Sequence, residues 1–296
     1  MTTTVDTVTA PATPRAEGLR RALGRWRHEE KAALVAVGVL VVLVLVAVFA
    51  PLIAPHDPNA QSIADRLATP SATHPLGTDD LGRDVLSRLL YGARASLVAS
   101  VLAMAVAVLV GLPLGLAAGF AGGIVDIVLR RVLDTVLAFP AIVLAIGVTG
   151  VVGPGLVTSM CAIGIVFAPS VARLIRGQTL STRERLYVPA AVTYGSHPLR
   201  VAVRHVLPNA VAPVVIQMSL LMSTALLAEA SLSFLGLGVQ PPTASWGSML
   251  GQAYGYMSQA PTQVFAPGLA IVLTAYCFIA VGDALRRELD PRQQTF

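Results

Sequence analysis

The chain has 296 residues, of which 55% are hydrophobic and only 12% charged, and its formal net charge at pH 7 is +5. Soluble domains carry roughly a quarter charged residues, so this composition excludes an ordinary soluble protein and predicts an integral membrane protein. The positive charges cluster beside apolar stretches, which is typical of membrane topology and argues against nucleic acid as a partner.

In chain order, six apolar runs are predicted to cross the membrane as helices, which gives an all-α fold. The first run, 32–53, has 22 residues without a charge and is too long for a signal-peptide core. The others lie at 95–119, 134–152, 156–176, 210–235 and 264–283. The predicted organisation is an N-terminal tail (1–31), a first transmembrane helix (32–54), an external loop (55–94), a transmembrane core (95–285) and a C-terminal tail (286–296).

The arginines orient these helices. If the N-terminus lies in the cytoplasm, most of the arginines lie on that side of the membrane. They fall in the N-terminal tail, at Arg130 and Arg131, and in the segment that follows the fourth run. The opposite side has few, and residues 236–262 carry no charge. This positive-inside pattern predicts a multi-pass membrane protein with both termini in the cytoplasm.

The segment between the fourth and fifth runs includes YVPAAVTYGSHPLRVAVRHVLPN, residues 187–209, which is too polar to span a membrane. Ser181 and Glu184 form a capping pattern that predicts a helix starting at Ser181, with Gly195 as its C-cap. Ser196 is expected to cap a second helix that ends at Pro208. Its apolar and basic positions fall on separate faces: Leu199, Val203 and Val206 on one, and His197, Arg200 and Arg204 on the other. Such a helix either lies on anionic lipid or docks on a partner protein.

The motifs AAVTYG and RHVLPN within this segment resemble the cytoplasmic EAA loop of ABC importer permeases. Two positions depart from the family pattern: Pro189 stands where the family has Glu, and His205 where it has Ile. The resemblance implies that the loop, near 177–209, docks on an ATPase subunit rather than on lipid. The ATPase-coupling residues that it implies are Ala190, Ala191, Gly195, Ser196, His197, Arg200, Arg204, Leu207 and Pro208.

Four further stretches, HPLGTDDLGRDVLSRLLYGARASL (74–97), DTVLAFPAIVLAI (134–146), AEASLSFLGLGVQPPTASWGSML (228–250) and GDALRRELDPR (282–292), resemble the C-type permeases for dipeptides, oligopeptides and nickel. This similarity implies the type I ABC importer permease fold and half of a translocation channel. The implied partners are a homologous B-type permease, two ATPase subunits and an extracytoplasmic substrate-binding protein. The implied cargo is a di- or oligopeptide, with nickel chelates and glutathione as alternatives.

Lys31 is the only lysine in the chain, and no glycine-rich phosphate loop precedes it. A Walker-type nucleotide site needs that lysine after such a loop. The chain is therefore predicted not to be an enzyme by itself and to hold no cofactor, with ATP and Mg²⁺ bound by the partner ATPase subunits.

Glu229 lies in the predicted fifth helix, where an acid is costly unless it meets a cavity, a pore or a polar partner. Together with Ser231 and Ser233 it is a candidate for the translocation path or gate. The alternatives are an acid at the outer membrane interface and a structural pairing. An ion-driven secondary transporter would also need such an acid. A third class, a scaffold that binds anionic lipid, would use only the basic loop.

Asp79, Asp80, Arg83 and Asp84 form a charged turn in the predicted external loop. The turn lacks the ligand spacing of an EF-hand, so no metal site is predicted. The family resemblance implies contact with the substrate-binding protein, and the alternative is a solvated helix face. Asp134 is expected to pair with Arg130 or Arg131 on its own helix.

Overall fold

The structure, a computed structural model, describes residues 14–188, 193–194 and 198–289, and over these residues it is helical, with no β-strand beyond an isolated bridge between Thr78 and Asp84. The helices are α1 (Pro14–Ile53), α2 (Val85–Ala121), α3 (Gly123–Leu137), α4 (Ala141–Val152), α5 (Leu156–Arg183), α6 (Pro198–Val201), α7 (Leu207–Phe234), α8 (Trp246–Ala253) and α9 (Thr262–Leu289). The predicted all-α fold is confirmed.

Within the described residues, α1, α2, α5, α7 and α9 each contain a stretch long and apolar enough to cross a membrane, and a sixth crossing results if α3 and α4 count as one. This pair covers the predicted span 134–152, but it is not one continuous helix. The axes of α3 and α4 meet at 87°. Pro140 precedes the first residue of α4, and its ring disfavours helical backbone at Phe139. The prediction of a continuous third helix was therefore wrong.

Helix α2 begins at Val85, ten residues before the predicted span at 95–119. Asp84 caps it, because its side chain accepts a hydrogen bond from the Ser87 backbone amide at 2.8 Å. This hydrogen bond satisfies one of the free amides in the first turn of α2. The segment predicted as the end of an external loop is thus the first helical turns of α2.

The helix ends around the basic loop also differ from the predictions. Ser181 lies inside α5 and starts no helix. Pro208 does not stop the second helix, because α6 passes through a π-helical turn, Ala202–Val206, directly into α7. In that turn the Leu207 amide donates to the Ala202 carbonyl, five residues earlier. Pro208, which has no backbone amide to donate, is the second residue of α7 and directly follows the π-helical turn.

The centre of the fold is the packing of α2 against α5. A Cβ atom added at Gly111 would lie 2.5 Å from the Ala168 carbonyl oxygen, and one at Gly115 would lie 2.4 Å from that of Ala172. From the other side, Gly164 of α5 approaches Val106 and the Ala103 carbonyl. These glycines let the two backbones meet closely, as small residues do between membrane helices.

The non-spanning segments gather at two ends of the helix bundle. We call residues 54–84 and 235–261 the cap; they lie where α1 and α7 end and where α2 and α9 begin. We call the opposite end the loop end, where α2 and α5 end and α6 begins. There the Arg183 side chain donates to the carbonyls of Gly119 and Phe120, which joins the last turns of α5 and α2.

Candidate functional site

The first candidate site is the basic segment at the loop end, of which Ala190, Ala191, Gly195, Ser196 and His197 lie outside the described residues.

Among the described positions of this segment, Arg200 in α6 and Arg204 in the π-helical turn are exposed, as is Pro208, while Leu207 is half-buried. Val201, Ala202 and Val206 are buried. The segment thus has a buried apolar side and exposed guanidinium groups, which is the two-faced pattern that the sequence predicts. Val206 belongs to the predicted apolar face, whereas the inward positions of Val201 and Ala202 were missed.

Ion pairs join α3 to α5 near the same end. Arg176 donates from its Nη2 to the Asp126 carboxylate at 2.6 Å. The Arg173 guanidinium lies 3.4 Å from the Asp134 carboxylate. The expected pairing of Asp134 with Arg130 or Arg131 was therefore wrong. A partner on another helix lies closer than the neighbours on its own turn, and such tertiary pairs are invisible in the local spacing.

The second candidate site surrounds Glu229, which is only 1% exposed. Ser233 Oγ, one turn later in α7, donates to Glu229 Oε1 at 2.6 Å, and Ser96 Oγ of α2 donates to Oε2 at 3.2 Å. Each serine oxygen also accepts a backbone amide of the cap: Ser233 from Val239 at 3.0 Å, and Ser96 from Trp246 at 3.2 Å. One carboxylate therefore ties together α2, α7 and the 235–261 segment of the cap.

This arrangement favours a structural pairing among the three roles considered for Glu229. Both of its oxygens are engaged inside the subunit, and the carboxylate does not reach the surface as an interfacial acid would. Ser231 is separate from it. Its hydroxyl donates to the Leu227 carbonyl, and the residue borders an apolar groove beside Phe234 and Ile271.

The pairing leads to a prediction that separates it from a gating role. Glu229→Gln is expected to lower the free energy of unfolding by about 1–3 kcal/mol, because one acceptor becomes a donor and a buried serine hydroxyl loses its partner. Ser231→Ala is the matched control and is expected to change it by less than about 0.5 kcal/mol. The measurement is denaturation of the detergent-solubilised protein, alongside transport. Lost transport with unchanged stability would instead indicate a gate.

The third candidate site, the charged turn of the cap, is buried rather than solvated. Asp79, Arg83 and Asp84 are 7%, 4% and 2% exposed, and only Asp80 is partly open. The predicted solvated helix face was wrong. Asp79, Arg83 and Asp84 are also too enclosed to form a surface for the substrate-binding protein, so that expectation is corrected for them.

Asp79 is the centre of this buried charge cluster. Its Oδ2 accepts from Arg83 Nε at 2.7 Å and lies 3.5 Å from Arg88 Nε, and its Oδ1 accepts the backbone amides of Leu81 and Arg83. Gln252 of α8 accepts from Arg83 at 3.1 Å. The cluster therefore fastens the start of α2 to the second part of the cap, 169 residues away in sequence.

Asp84 faces the opposite side, toward two histidines. Its Oδ1 lies 2.9 Å from His74 Nδ1, and its Oδ2 lies 3.9 Å from His56 Nδ1. Burial raises the pKa of the Asp84 carboxyl, but hydrogen bonds from His74 and Ser87 outweigh it, and the pKa is lowered from its ordinary value.

Sequence reasoning missed several residues of these clusters. His56, Ser96 and Gln252 were not singled out, and His74 was not connected to Asp84. Ser96 and Gln252 meet their partners across more than 130 residues of chain. The His74–Asp84 pair spans only ten residues within one motif, so a histidine and an acid flanking a tight turn were the available signal.

Two family models match the chain. Residues 111–295 match the binding-protein-dependent transport system inner membrane component, and residues 20–70 match the N-terminal transmembrane domain of oligopeptide transport permease C. The second match covers α1 and the first part of the cap. The first match begins within α2 and covers all later elements.

Similar proteins span nearly the same length. The dipeptide transport system permease protein DppC of Alkalihalophilus pseudofirmus is 38% identical over 291 residues, covering 96% of both chains. The glutathione transport system permease protein GsiD of Shigella flexneri is 42% identical over 270 residues, covering 90% of this chain and 89% of its own. The fold resembles a solved inward-facing MetNI methionine ABC transporter, with a TM-score of 0.57 at 20% identity over 69% of this chain and 97% of that one.

Proposed function

Because this chain belongs to the family of binding-protein-dependent transport system inner membrane components, we propose that it is the C-type permease subunit of an ATP-driven importer of small peptides. The observation that carries the proposal is the full-length similarity to a dipeptide permease, together with the match of residues 20–70 to the N-terminal domain of oligopeptide transport permease C. Relatives named for dipeptides and for glutathione, itself a peptide, favour a peptide cargo over a nickel chelate.

The partners follow from what the chain lacks and from what it exposes. Its single lysine follows no glycine-rich loop, so ATP and Mg²⁺ belong on separate ATPase subunits. The exposed Arg200 and Arg204 offer those subunits a docking surface, with the buried Val201 and Val206 holding the segment against the bundle. A homologous B-type permease completes the channel, and a substrate-binding protein delivers the peptide.

The orientation in the membrane follows from charge. The loop end has exposed arginines on α3, α5 and α6 and in the π-helical turn, and the positive-inside rule places that end in the cytoplasm of a bacterial inner membrane. The cap then faces the substrate-binding protein. Since α1 starts and α9 ends at the loop end, the proposal has both termini in the cytoplasm.

Coupling in this proposal is mechanical. The helix that begins at Pro198 continues without a loop through the π-helical turn into α7, which ends at Phe234 in the cap. A displacement of the docked segment is therefore passed directly to a membrane-crossing helix. The ion-driven alternative depends on Glu229, both of whose oxygens already accept serine hydroxyls, and we do not favour it.

The test is charge reversal in the reconstituted complex. Arg200→Glu combined with Arg204→Glu is expected to lower ATP-dependent peptide uptake at least about tenfold, equivalent to about 1.4 kcal/mol of docking free energy. The ATPase subunits are expected to be lost on purification, whereas the second permease is retained. The matched control is Arg130→Glu with Arg131→Glu, which makes the same charge change at exposed sites on α3 of the same end.

Lipid composition separates docking from membrane binding. Uptake by the Arg200 and Arg204 variant should be reduced equally in proteoliposomes of neutral and of anionic lipid. If both double variants lose uptake equally, and only in anionic lipid, the arginines serve membrane attachment and the docking proposal fails. Import of a nickel chelate but no peptide by the unmodified complex would overturn the cargo assignment alone.

A further inference from the structure

Three side chains of the cap converge as metal ligands would. His56, His74 and Asp84 each direct one ligand atom to a common point, and these atoms lie within 4.8 Å of one another. The two imidazole rings are 4.8 Å apart between centroids, and both Nδ1 atoms face the same carboxylate. Nothing in the import mechanism proposed above uses this cluster.

The backbone around each ligand is held in place. The His74 amide donates to Ser71 Oγ at 3.1 Å, and the His74 carbonyl accepts the amides of Ser71 and Gly77 at 2.9 Å. The His56 amide donates to Ser87 Oγ at 3.1 Å, while the Ser87 amide donates to Asp84 Oδ2. These supporting bonds resemble the outer shell that orients metal ligands in proteins.

The three side chains range from buried to partly exposed, so an ion could reach the site from solvent. The Asp84 side chain is 1% exposed, that of His74 is 20% exposed and that of His56 is 40% exposed. An ion entering beside His56 would meet two imidazoles and one carboxylate, and solvent would supply a fourth ligand. Within the part of the chain that the structure describes, Asp84 Oδ1 has only His74 as a hydrogen-bond partner, so it is the oxygen best placed to bind.

We propose that His56, His74 and Asp84 form a binding site for one Zn²⁺ ion that ties the end of α1, the 71–77 turn and the start of α2 together. Two imidazole nitrogens and one carboxylate, with water in the fourth position, suit tetrahedral Zn²⁺. Mg²⁺ and Ca²⁺ prefer oxygen ligands and fit this set poorly.

Zinc titration of the full-length protein tests the site. The protein is purified in detergent without a polyhistidine tag, stripped with a chelator, and titrated by calorimetry against ZnCl₂, with bound metal counted by elemental analysis. One Zn²⁺ per chain is expected. His56→Ala and His74→Asn are each expected to weaken binding at least about tenfold. His56 is the more exposed, and its replacement should leave the fold intact, as checked by Trp246 fluorescence.

A histidine elsewhere in the chain provides the control. His28 lies in α1, about 37 Å of helix before Ile53, and His28→Ala should bind Zn²⁺ like the unmodified protein. Zn²⁺ should also raise the melting temperature of the unmodified protein but not that of His56→Ala, and Mg²⁺ should raise neither. The proposal would be overturned if Zn²⁺ did not bind stoichiometrically, if both cap variants bound Zn²⁺ as tightly as the unmodified protein, or if Mg²⁺ raised the melting temperature as much as Zn²⁺. None of these outcomes bears on peptide import.

Discussion

Asp79→Asn is expected to destabilise the cap by about 3–5 kcal/mol, because it removes the carboxylate that pairs with two buried arginines and leaves only the more distant Asp80 near Arg83. Arg83 and Arg88 are 4% and 1% exposed, and both face the Asp79 carboxylate. The asparagine keeps Oδ1 for the backbone amides of Leu81 and Arg83, so the change isolates the charge. Denaturation is followed by the fluorescence of Trp246, whose indole donates to the Leu89 carbonyl at 3.0 Å. Trp26→Phe removes the other tryptophan signal.

Two companion variants test the cause of this loss. Asp57→Asn makes the same chemical change at an exposed position of the cap, where the Asp57 side chain accepts the Asn59 amide at 2.8 Å, and it should cost less than about 0.5 kcal/mol. Adding Arg88→Gln to Asp79→Asn should restore part of the stability, because one uncompensated cation disappears. A double variant that is worse than the sum of the single changes would contradict the electrostatic explanation.

Gly115→Ala and Gly177→Ala are expected to change stability in opposite directions although both add one methyl group to a helix. At Gly115 the new Cβ would lie 2.4 Å from the Ala172 carbonyl oxygen and 2.8 Å from Ile175 Cβ. Separating α2 from α5 to make room should cost about 1–3 kcal/mol. At Gly177 of α5 nothing lies within 4 Å of the new atom, so alanine should be neutral or stabilising by up to about 1 kcal/mol.

The free energy of unfolding of each glycine variant is measured in the same detergent, and the complex is then assayed for peptide uptake. Gly115→Ala should lose uptake in proportion to its loss of folded protein. Equal effects of the two substitutions would mean that helix propensity, rather than the contact between α2 and α5, determines the result. A stabilising Gly115→Ala would show that the two backbones do not approach as described.

The sequence predicts the membrane-crossing helices well, since length and hydropathy are local properties. It misplaces their ends for identifiable reasons. The run 134–152 contains enough apolar residues for one span, and hydropathy outweighed the single signal of Pro140, at which the chain turns by 87°. The predicted start of α2 is too late because charged residues near 85–94 are typical of a loop. In the structure Arg88 is buried, where it pairs with the Asp79 carboxylate and donates to the Pro58 carbonyl.

The candidate sites also differ in whether their features are local in the sequence or depend on tertiary packing. The two-faced character of the loop before α7 is visible in its sequence, and exposed Arg200 and Arg204 confirm the basic side. The roles of Glu229 and Asp79 were not predictable, because tertiary packing brings Ser96 to Glu229 and brings Gln252 to Arg83, the arginine that Asp79 binds. A polar residue in an apolar sequence indicates that a partner exists, but only the fold shows which residue it is.

The π-helical turn at Ala202–Val206 changes the direction in which the side chains before it point, relative to those of α7. One residue beyond the α-helical count rotates everything before the turn by about 100° relative to α7. Deleting a single residue there would leave a continuous helix, yet the guanidinium groups would point in another direction. The length of this turn, and not only its composition, therefore sets which way the basic surface faces, and related chains that differ there by one residue would present a differently aimed surface.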